Sequence, residues 1–151
     1  MTLIEHFDLT AARQLLGQVL APWVQELGLS VVAIESSAPD GASSAWQPGA
    51  VLLMPFSQRL CREGGVVSGQ ALMSLADTAM VLAVATAGGR YRPMTTVDQT
   101  THFLKPVAAA DVLADARIVR HGRTMSFGRV TLLNAQDHTP AAIVTSAYAL
   151  L

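Results

Sequence analysis

The chain has 151 residues, of which 51% are apolar and 14% charged, with a formal net charge of −1 and a single cysteine. That length sets the expectation of one domain, residues 1–151, with enough chain to bury a sizeable core. The near-neutral charge argues against a nucleic-acid binder, and the lone Cys61 rules out an internal disulfide and fits a reducing compartment.

So little polar surface on a chain of this size points to a homo-oligomer that hides apolar area between subunits. Residues 1–10 carry acids early and lack a basic stretch, so a secretory leader is not expected and a cytoplasmic protein is. Residues 8–27 place Leu15, Leu16, Val19, Leu20, Trp23, Val24 and Leu27 at helical spacing. Asp8 or Thr10 can cap the start, Gly28 follows the end, and Pro22 predicts a kink or two shorter helices. This segment reads as packing, without chemistry. Residues 29–37 and 50–57 are short runs rich in β-formers, separated by a Pro/Gly/Ser connector, and are expected to pair antiparallel.

Residues 64–89, GGVVSGQALMSLADTAMVLAVATAGG, organise the rest. Glycine pairs bracket an alanine-rich apolar helix with one carboxylate, Asp77, in its middle. It is not expected to span a membrane, because the apolar run after Asp77 is about a dozen residues and a span needs ~20. Residues 94–106, 111–119, 124–135 and 141–151 read as strands of an antiparallel meander, with a turn at 120–123. The fold class is α+β, an antiparallel sheet of about six strands covering one long buried helix, with an extra N-terminal helix.

An acid on a buried helix is costly unless something pairs with it or uses it. Met73, Asp77 and Val81 share a helix face, with Ser74 on the adjacent line. Asp77 is therefore either a structural acid, bonded to Ser74, Thr78 or a neighbouring subunit, or a general base or carboxylate nucleophile. At the helix start, Ser68 is a candidate N-cap and Gly69 leaves the backbone uncovered. Its free N–H groups are either those of an ordinary capped helix or a device to polarise a carbonyl. Asp77 lies eight residues further on, about 12 Å of axial rise, so the two reach one carbon only if two chains meet across a two-fold axis.

Arg120, His121 and Arg123 crowd one hairpin turn, with Arg90 and Arg92 after the long helix. They are either solubilising charges or forks for a phosphate-bearing ligand. The histidines are scattered without metal-ligand spacing, so no metal is expected. His102 alternates with Thr100 and Leu104 and reads as packed. No dinucleotide, Walker or GxSxG pattern occurs.

Taken together, these residues resemble the hotdog-fold acyl-CoA thioesterases, in the phenylacetate-degradation (PaaI-like) branch. The resemblance runs over about residues 50–151 and is strongest across Val67-Ser68-Gly69-Gln70-Ala71-Leu72-Met73-Ser74-Leu75-Ala76-Asp77-Thr78-Ala79. Val97-Asp98 with Phe103-Leu104-Lys105-Pro106 matches the next strand, and Arg120-His121-Gly122-Arg123 the family's Arg-x-Gly-Arg turn. The resemblance implies hydrolysis of a small or aromatic acyl-CoA at a subunit interface, in a homodimer or, as a dimer of dimers, a homotetramer. It makes Asp77 the base or nucleophile, the N–H at or beside Gly69 the carbonyl-polarising group, and Thr96 the residue that orients water or acid. Arg120, His121 and Arg123 become candidates for CoA phosphates, CoA being part of the substrate and no separate cofactor being implied. The family's histidine is Ser68 here, its second glycine is Gln70, and a frequent asparagine falls on Arg62. A hotdog protein that binds acyl-CoA without hydrolysing it is the competing reading; hydratase chemistry would want an Asp/His pair, which the long helix lacks. No nucleic-acid or membrane partner is implied.

Overall fold

The computed structural model describes residues 6–151. Asp8 Oδ1 accepts from the Ala11 N–H at 2.8 Å and starts α1 (Leu9–Gln18). Pro22 cannot sit inside a continuous helix but suits a first turn, so the segment breaks as expected and restarts as α2 (Pro22–Gln25). β1 (Ser30–Glu35) and β2 (Gly49–Met54) then pair antiparallel. β3 (Cys61–Arg62) and β4 (Val66–Val67) form a two-residue ribbon that no local sequence signal marks, turning through Gly64 and Gly65.

α3 (Gly69–Gly88) follows, capped by the Ser68 side chain and stopped by Gly89 in the left-handed conformation. By length and composition it could cross a membrane, but 67% of its apolar window is buried inside the protein. It is buried by β5 (Met94–Phe103), β6 (Val112–His121), β7 (Met125–Asn134) and β8 (Pro140–Leu150), together with β2. Leu75, Ala76, Ala79, Met80 and Ala83 are fully buried, each large side chain contributing about 2–3 kcal/mol of hydrophobic stabilisation. The helix comes close to the sheet because Gly128 has no side chain. A Cβ there would stand 2.7 Å from Met80 Cε and 2.6 Å from the Arg117 carbonyl oxygen.

The six strands lie in the order β1-β2-β6-β7-β8-β5, all neighbours antiparallel. Only β6, β7 and β8 form the expected meander. β5 crosses to the far edge and pairs with β8, because alternation identifies a strand without naming its neighbour.

Two bulges correct the sequence reading. The first, between Thr96 and Asp98, turns the face over, so that Gln99 points at α3 and His102 is exposed on the outer face instead of packed. The second, between Ile118 and Arg120, carries β6 two residues into the expected turn and aims His121 inward, opposite the buried Ser126.

Candidate active site

Asp77 is half-buried, and neither helix neighbour is its partner. The Ser74 hydroxyl donates to the Gln70 carbonyl and the Thr78 hydroxyl to the Ser74 carbonyl, both at 2.8 Å. The partners come from the sheet. Thr96 Oγ1 on β5 donates to Asp77 Oδ1 at 2.8 Å, and the Tyr148 hydroxyl on β8 donates to the same oxygen while lying 3.1 Å from the Asp77 carbonyl oxygen. Thr96 and Tyr148 are direct cross-strand neighbours, which is why their hydroxyls converge. Among the described residues no hydrogen bond reaches Oδ2.

Tyr148 was not singled out from the sequence. Burial first, and then the charge of Asp77, push its hydroxyl far above the ordinary tyrosine range, so it remains a proton donor to the carboxylate at any working pH.

Asp77 opens into a cleft of about 500 Å³ walled by Leu20, Trp23, Val24, Met73 and Val81, with Gln70, Thr96 and Gln99 as polar members. Gln70 lies two helical turns before Asp77 on the same face and so belongs to this cleft. The α1–α2 segment, expected only to pack, supplies three of its apolar walls.

Gly69 lies elsewhere, in a separate cleft with Arg62, Leu72, Phe103 and Pro106. The Phe103 ring stands 3.0 Å from where a Cβ of residue 69 would be, so a side chain there would have to push the exposed ring aside. Ser68 Oγ accepts from the Ala71 N–H at 3.3 Å, while the N–H groups of Gly69 and Gln70 meet no acceptor among the described residues. One chain thus holds Asp77 and the helix start about 12 Å apart along α3, as the spacing requires.

The three candidate phosphate contacts do not share a face. Arg120 is exposed and paired with Phe127, whereas His121 points inward, 3.2 Å from Ser126 Oγ and packed on Gly88. Arg123 is exposed, and its carbonyl accepts from Arg92 Nη1 at 3.1 Å. Arg90 and Arg92, not Arg120, line the small cleft with His121, whose pKa is lowered by burial and by Arg92.

An antiparallel sheet wrapped round one long helix, with an acid on the helix facing a cleft, is the architecture of the hotdog thioesterases. A family model described as the thioesterase superfamily matches residues 64–141, and the chain belongs to that family. The PaaI protein of the Escherichia coli phenylacetic acid degradation operon has the same fold, with 18% identity, a TM-score of 0.74 and coverage of 95% of this chain and 96% of that one. A variant of the phenylacetic acid degradation protein PaaI from Thermus thermophilus is 26% identical, with a TM-score of 0.69 over 87% of this chain and all of that one (100%). The family match and the likeness to the Thermus protein support the PaaI-like branch. A Thermoplasma acidophilum protein, provisionally described as an esterase, is 27% identical over 81 residues, 54% of this chain. The chain spans 61% of that relative's length.

Proposed function

We propose that the protein hydrolyses an acyl-CoA thioester, with Asp77 as general base or nucleophile. The observation that carries this reading is the half-buried Asp77 carboxylate in an apolar cleft, both its hydrogen bonds falling on Oδ1. As base, it takes a proton from water while that water adds to the thioester carbon; the C–S bond then breaks, and the CoA thiolate leaves and takes up that proton. As nucleophile, Oδ2 adds to the carbon, the C–S bond breaks, CoA leaves and takes up a proton, and water then hydrolyses the acyl–Asp anhydride. The walls formed by Leu20, Trp23, Val24, Met73 and Val81 fit a small or aromatic acyl group. Thr96 orients the acid, and Gln70 offers an amide toward the acyl end. Arg120, Arg123 and His121 are the nearest match to the family's phosphate turn, though only the two arginines are exposed.

In this reading the oxyanion donor is the N–H of Gly69 of the partner subunit, because within one chain Gly69 lines a different cleft from Asp77, about 12 Å away along α3. A second copy has a place to dock. β5 is an edge strand with an unpaired side, and Val97, Phe103 and Met73 are 58%, 53% and 41% exposed along it and the neighbouring helix face. We read the protein as a homodimer at least, with pairing of dimers into a homotetramer as the family's habit.

The test is thiol release from a panel of acyl-CoA esters. Asp77→Asn and Asp77→Ala are expected to lower kcat on the order of 10²–10⁴-fold. Turnover that survives both substitutions removes the role of Asp77. The non-hydrolytic binder is the second reading, because where the family has histidine this chain has Ser68, a short side chain held at the helix cap by accepting from the Ala71 N–H. Calorimetric binding of acyl-CoA with no turnover by the native protein would decide for it.

A further inference from the structure

The inner face of the sheet is not uniform. On β6 and β7 the residues beneath the middle of α3 are Ala114, Ala116, Val130 and Leu132, all fully buried and apolar, with the polar His121 and Ser126 at the far end of that face. On β5 and β8, beside Asp77, they are Thr96, Gln99, Ser146 and Tyr148. Tyr148 is among the largest fully buried side chains, and its hydroxyl reaches one residue, Asp77, through both side-chain and main-chain oxygens. A buried tyrosine hydroxyl needs an acceptor, but any backbone carbonyl would satisfy it. This one is set against the only acid of α3.

We propose that Tyr148 is the positioning residue of the site: its buried hydroxyl, with Thr96, anchors Oδ1 of Asp77 and so presents Oδ2 to the thioester carbon. A carboxylate tied at one oxygen to two donors on a rigid sheet cannot rotate without breaking a charge-assisted hydrogen bond. The two anchors are unequal. Thr96 is exposed, so water competes for its hydrogen bond, whereas the Tyr148 bond is shielded and correspondingly stronger. No proton moves in this role; the tyrosine stays protonated throughout. The kinetic consequence rests on the thioesterase reading given above, while the geometric one does not.

Tyr148→Phe keeps the ring and removes the anchor. We expect kcat to fall roughly ten- to a hundredfold with KM held within about twofold, the signature of a misplaced catalytic group. In an Asp77→Asn background the same change is expected to cost nothing further, because the reactive carboxylate that Tyr148 positions is already gone. An unchanged kcat in the single variant, or an equal added loss in the double one, overturns the proposal, and the second result would mark Tyr148 as merely structural. A crystal structure of unliganded Tyr148→Phe gives a readout free of turnover. Asp77 is expected in a rotated or divided conformation, and a single native rotamer overturns the proposal. If the native protein hydrolyses no acyl-CoA, the thioesterase reading fails and that crystal structure still decides the positioning. Should the variant not fold, 3-fluorotyrosine in place of Tyr91 and Tyr148 tunes the phenol as a donor within a folded chain. A kcat altered several-fold at constant KM supports the proposal, and an unaltered kcat overturns it.

Discussion

His121 shows how one side chain ties ionisation to the fold. Its imidazole is half-buried against Gly88 and faces Arg92, and both burial and that cation disfavour the charged form. Folded His121 therefore protonates at lower pH than the unfolded residue, whose value is about 6.5. The unfolded chain binds the proton first, so stability is fully present above that value and is lost as pH falls through the lowered folded one. Urea midpoints measured at about pH 7.5 and about pH 5.5 should drop in native protein and drop less in His121→Gln. Equal drops would show that His121 carries no part of it. Single residues also differ in how plainly the sequence marks them. Asp77 was legible because a carboxylate violates the pattern of an apolar helix. Tyr148 was not, since 71 residues separate it from the acid it holds and nothing local marks a strand tyrosine as a partner. His102 faces out because it lies beyond a bulge, and alternation counted from the sequence cannot see an extra residue, whereas His121, expected in a turn, lies on β6 because that strand runs on past its own bulge.

Elements were easier to read than their arrangement. Caps, glycine pairs and apolar spacing located α1, α2, α3 and the six strands of the main sheet, because each signal is local. Strand order was not legible, since β5 pairs with β8 across the whole of β6 and β7. Nor was the work of α2, whose four residues look like the end of a packing helix. In the fold, Pro22 restarts the chain as one turn that leans Trp23 and Val24 over the Asp77 cleft. Trp23 is 59% exposed, so its removal costs little core packing and mainly widens the cleft. In Trp23→Ala we expect the preferred acyl-CoA to shift toward bulkier acyl groups, with kcat/KM for the native favourite reduced about tenfold and the melting temperature little changed. An acyl panel profile identical to the native one would mean that α2 does not wall the acyl site.

At the scale of the whole molecule, the two groups that the proposed chemistry needs line separate clefts of one chain. Asp77 opens into one cleft and the uncovered N–H groups at Gly69 into another, fixed apart by the rigidity of α3. In the dimer proposed above, a two-fold axis beside the β5 edge would resolve this, because an isologous contact would set each chain's acid against the other's helix start and build the site twice. The arrangement makes a prediction that no single-chain site shares. Asp77→Asn removes the acid but leaves the helix start intact. Gly69→Val leaves the acid but drives a side chain into the Phe103 ring and over the N–H groups. Each variant alone is expected to be nearly inactive. Co-expressed at equal levels, roughly half of the dimers are mixed, and each mixed dimer retains one native site beside one doubly damaged one. Thiol release by the mixture should then return to about a quarter of the native rate, and to about half in mixed dimers purified through different tags on the two variants. If the acid and the helix start of one chain served the same substrate, every subunit in the mixture would be damaged and no activity would return. Recovery near those fractions therefore separates a site shared between chains from one completed within a chain.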